Sequence, residues 1–62
     1  MKFIATNDDG QTIFEMKNGE ITGDLPYGIN KDRIIATYNM HLILGENTDE
    51  FMVGECLITV VE

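Results

Sequence analysis

The chain has 62 residues, 44% of them apolar, and carries 11 Asp or Glu against 4 Lys or Arg, a net charge of −7 at pH 7. That length allows a single domain, 1–62, of marginal stability, since a chain of about 60 residues buries only about 60% of its unfolded surface. The charge argues against direct binding to nucleic acid or to an anionic membrane, both of which need Lys and Arg, while one cysteine (Cys56) and one histidine (His41) rule out an internal disulfide and a structural zinc site.

The first apolar run, Lys2-Phe3-Ile4-Ala5-Thr6, ends at Asn7-Asp8-Asp9-Gly10. Gly10 offers the positive φ of a short hairpin loop, and the Asn and Asp side chains support the turn locally. A second strand, 11–17, reaches Asn18-Gly19, the preferred pair for a two-residue type I′ hairpin, and leads into Glu20-Ile21-Thr22-Gly23. Two hairpins in succession predict an antiparallel meander. Residues 24–32 are punctuated by Pro26, Gly28 and Asn30, and predict a loop with one short helical turn.

From Arg33 the even positions are Ile34, Ala36, Tyr38, Met40, Leu42 and Leu44, while Thr37, Asn39 and His41 lie between them. Read with a period of two, this is a long half-buried strand with a bend near Asn39. Frequent β-branched residues and the lack of an evident cap weigh against a helix. Gly45-Glu46-Asn47-Thr48-Asp49-Glu50 then forms an acidic loop, three carboxylates in five positions. The last run, 51–61, is apolar on both of its alternating faces, with Gly54 read as a bulge. A strand apolar on both sides must be covered on both, which predicts a homodimer through the C-terminal hairpin. Together the elements predict an all-β fold: an antiparallel meander of about five strands, either a small twisted sheet or a partly open barrel.

No chemistry is written into the pattern. His41 has no nucleophile or carboxylate at a readable spacing. Asn7-Asp8-Asp9-Gly10 lacks the alternating ligands and the distal Glu of a calcium loop, and the glycines have no phosphate-binding spacing. The expectation is a protein that is not an enzyme and has no cofactor. Cys56, beside Leu57 and Ile58, reads as a buried reduced thiol. No apolar run is long enough for a membrane span, and Met1 to Asp9 turns acidic too early for a signal peptide, so a cytoplasmic protein starting at Met1 is expected.

The carboxylates remain. Asp8, Asp9, Glu20, Asp24, Glu46, Asp49 and Glu50 fall in or beside turns and are the candidate partner-binding residues. Such acidity has a plain use in solubility. It also suits a decoy: duplex DNA carries one charge per about 1.7 Å, so eleven carboxylates match roughly 19 Å of duplex. The short length, the acidity, the β pattern and the turn acids Asp8-Asp9 and Glu46 to Glu50 resemble the small phage-encoded proteins that mimic DNA, in particular phage inhibitors of the bacterial nucleoid protein HU. The resemblance implies a host-takeover protein whose carboxylates cover the basic DNA-binding surface of an HU-like partner and displace the chromosome. Two alternatives stand beside it: a mimic of the uracil-DNA glycosylase inhibitor type, and a structural or assembly module acting through the apolar C-terminal strand.

Overall fold

The computed structural model describes residues 1–62. Five strands, β1 (Lys2–Thr6), β2 (Thr12–Lys17), β3 (Glu20–Gly23), β4 (Glu50–Val53) and β5 (Cys56–Val61), form one antiparallel sheet in the order β3-β2-β1-β5-β4. A single helix, α1 (Lys31–Leu44), connects the two edge strands. The fold is mostly β, and the sheet stays open; the barrel alternative is not realised.

Both predicted hairpins form for the expected reasons. Asn7 Oδ1 accepts from the backbone N–H of Asp9 and Gln11, each at 3.0 Å, and Gly10 takes φ +79°. Asn18 and Gly19 both have positive φ, 53° and 80°, the signature of a type I′ turn. Register then sets the faces. Phe3, Ala5, Phe14, Met16, Phe51, Val53, Cys56 and Ile58 are buried with Ile29 and Ile34, and no polar side chain is buried with them. On the other face Lys2 and Glu15 form an ion pair at 2.8 Å. At the irregularity between Ala5 and Thr6, β2 carries one extra residue, Ile13, which packs against the core beside Phe14.

Residues 33–44 correct the strand expectation: they belong to the helix. Asn30, just ahead of it, is the N-cap, its side chain accepting from Arg33 N–H at 2.8 Å, and Asp32 lies in the positive first turn. Gly45 ends the helix at φ +70°, with Glu46 N–H donating to His41 C=O at 2.9 Å and Gly45 N–H to Leu42 C=O at 3.3 Å. Those two bonds are a Schellman cap. Ile34, Tyr38 and His41 follow the helical spacing of one face. Ile34 is fully buried, Tyr38 meets Phe3 edge-on with ring centroids 5.5 Å apart, and His41 lies 5.5 Å from the Phe51 ring. The expected helical turn within 24–32 is likewise displaced: 24–30 is loop, with a turn closed by Ile29 N–H to Pro26 C=O at 3.1 Å.

The run 51–61 is not one strand. Val53 pairs with Cys56 across Gly54-Glu55, and Gly54 has φ +61° while Glu55 does not have positive φ. This is the glycine-first pattern of a type II′ hairpin, not a bulge. The turn changes the parity of the pattern, so Phe51, Val53, Cys56 and Ile58 all enter the same core. The two-faced strand that motivated a dimer through this hairpin does not exist.

Candidate functional surface

Register places the acids. β1 and β5 run antiparallel from Lys2↔Val61 to Thr6↔Leu57, so the β1–β2 and β4–β5 turns share one end of the sheet. The end of β3 lies there too, with Asp24 N–H donating to Ile13 C=O at 3.2 Å. Asp8, Asp9 and Asp24 are therefore gathered at one end, and Glu55 joins them. Glu20 lies at the opposite end, paired with Lys17 across the β2–β3 turn. Glu46 follows the helix, and Asp49 and Glu50 lead into edge strand β4, where Asp49 C=O accepts from Val60 N–H at 2.8 Å. The seven candidate residues thus form two acidic groups and an isolated Glu20, not one row.

Both groups stand on turns pinned by an asparagine. Asn7 organises the first. In the second, Asn47 Oδ1 accepts from Asp49 N–H at 2.8 Å, while His41 Nδ1–H donates to Asn47 C=O at 2.9 Å. That bond fixes the His41 tautomer and ties the acidic loop back to the helix. Two of the cations bond to backbone carbonyls instead: Lys31 Nζ donates to Gly19 C=O at 3.0 Å, and one of the Arg33 guanidinium N–H groups donates to Gly28 C=O at 2.9 Å, leaving its other donors free. The Lys2–Glu15 contact is the one ion pair, leaving ten of the eleven carboxylates without a basic side chain in reach.

At the end bearing Asp8 and Glu55, an open groove runs between the β1–β2 turn, the 26–29 loop and the β4–β5 turn, lined by Tyr27, Ile29 and Arg33. Cys56 lies at its wall but is buried, and burial first, then the charge of Glu55, raise its pKa. The thiol is protonated at neutral pH, the opposite of an activated nucleophile. It is expected to react slowly with a disulfide reagent in the native protein and quickly in denaturant; fast native labelling would refute this. Because the folded state holds this proton more tightly than the unfolded chain, the thiol costs no stability below its ordinary pKa of about 8.5 and lowers stability as pH rises past it.

Glu55 is the acid that sequence reasoning leaves out. Reading Gly54 as a bulge hides it inside a strand; Gly followed by a polar residue between two apolar runs is the signal that places it on a turn. No group of His, Cys, Asp and Glu is arranged to hold a metal ion, and no helix is long and apolar enough to cross a membrane. Comparison with protein-family models, with curated proteins and with solved structures finds no match.

Proposed function

We propose that the protein is a non-catalytic, DNA-mimicking inhibitor that binds the basic DNA-binding surface of a host protein. The nucleoid protein HU is the first candidate, on the resemblance of the sequence to phage inhibitors of that protein. The observation that carries the reading is the set of ten carboxylates left without a cation, eight of them, Glu55 included, on or beside turns of a small sheet. Charge held on fixed turns loses less conformational freedom on docking than charge on a flexible tail. It also raises the association rate with a basic partner at low salt.

The test is displacement of labelled DNA from purified HU. The parent is expected to compete, more weakly as salt rises. Two variants locate the surface, Asp8→Asn/Asp9→Asn and Glu46→Gln/Asp49→Asn/Glu50→Gln, both of which keep the turn chemistry. Loss of competition and a shallower salt dependence in one of them identifies the docking group. If the parent fails to displace DNA, the HU reading fails. If both variants compete like the parent, these turns are only soluble loops.

A further inference from the structure

The helix carries a second surface that the acidic turns do not explain. Between Ile34 and Gly45 there is no Asp, Glu, Lys or Arg, although 15 of the 62 residues are charged. Ile34, Tyr38 and His41 face the sheet, yet the opposite side is apolar as well: Ile43 is 79% exposed, Leu44 61% and Met40 54%. An exposed helix in so acidic a protein should carry its charges there. A shallow groove runs along the adjoining flank of the helix past Ala36, Thr37, Met40 and His41, with Arg33 at one end and Glu46 at the other.

We propose that this face is covered by a second copy of the same chain, the two helices packing antiparallel about a two-fold axis near Asn39 and Met40. The charges at the two ends of the groove select this occupant and this orientation. A two-fold contact repeats each pairing, so Arg33 of each copy meets Glu46 of the other, and two complementary pairs close the ends. The same operation sets the small Ala36 against the large Ile43, which lets the helices approach and interdigitate. Because the stretch between is uncharged, two chains of charge −7 meet without like charges at the centre. The pairing takes Glu46 from the acidic loop and leaves Asp8, Asp9, Asp24, Asp49 and Glu50 outside the contact, so Ile43→Glu tests it without touching the acidic turns.

Sedimentation equilibrium tests it. The parent is expected at twice its 7.0 kDa mass at tens of micromolar. Ile43→Glu, at an exposed position, should keep the far-ultraviolet dichroism of the parent and raise the dimer Kd at least about thirtyfold, as for a central interface residue. Arg33→Glu and Glu46→Arg should each weaken the dimer on the order of tenfold, and the double exchange should restore it, since only a contact between those two positions can be rescued that way. A compact monomer at several hundred micromolar would overturn the proposal and leave the face to a different protein. A dimer indifferent to Ile43→Glu, or one that the double exchange does not rescue, would overturn it too.

Discussion

Phe14→Ala is expected to remove about a third or more of the protein's folding stability. Phe14 is 1% exposed, in the middle of β2 between Ala5 and Gly23, and contributes one of the largest fully buried side chains. Truncating a buried Phe costs about 3–5 kcal/mol, because the lost transfer energy is joined by the cavity left behind. A domain of this size has a total stability of roughly 3–9 kcal/mol, at about 0.05–0.15 kcal/mol per residue. The one substitution therefore removes about a third of it at the least, and all of it at the low end of that range. Urea denaturation followed by circular dichroism should show the midpoint falling by at least about a third, or no folded baseline. A loss below about 1 kcal/mol would mean that the neighbouring side chains collapse into the space and that Phe14 is not central.

Gly23→Ala should be nearly as damaging, for a backbone reason. Gly23 has φ +102°, and a Cβ there would lie 2.5 Å from Ile13 carbonyl oxygen and 2.8 Å from Phe14 Cα. Neither atom belongs to a flexible side chain, so the strands themselves must separate. Strain of about 1–3 kcal/mol from the dihedral adds to about 1–3 kcal/mol from overpacking. Gly10→Ala is the control: its φ is +79° with nothing within 4 Å of the added Cβ, so only the dihedral cost applies. Hydrogen exchange should show β3 amides losing protection in Gly23→Ala and keeping it in Gly10→Ala. Equal behaviour of the two variants would show that the close approach of β2 and β3 yields easily.

The parts of the fold that were legible in the sequence are those decided locally. Asn18-Gly19 and the Asn7 to Gly10 turn specify hairpins through their own dihedrals and hydrogen bonds, and both form as expected. Helix α1 was not legible because its apolar residues lie on every side, so periods of two and 3.6 both fit. Its real markers were Asn30 and Gly45, one before and one after the run, and they outweigh the β-branched residues between them. Gly54-Glu55 misled in the opposite sense, since a turn read as a bulge preserves the wrong parity. For the acidic surface, the charge clusters follow from turn composition, but their division between two places depends on strand register. Long-range pairing such as Thr6 with Leu57 is invisible to any window along the chain.

The strand order has a consequence for how the chain comes to be folded. β1 lies at the centre of the sheet, and one of its neighbours, β5, is the last of the six elements in the chain. The β1-β2-β3 meander is available early, yet one side of β1 stays unpaired until residues 56–61 emerge from the ribosome and bridge back across the whole sequence. Closing such a loop costs entropy before any contact rewards it. The nascent meander thus waits with one edge of β1 unsatisfied, and the pairing of β5 with β1 is expected to be the late step in completing the sheet.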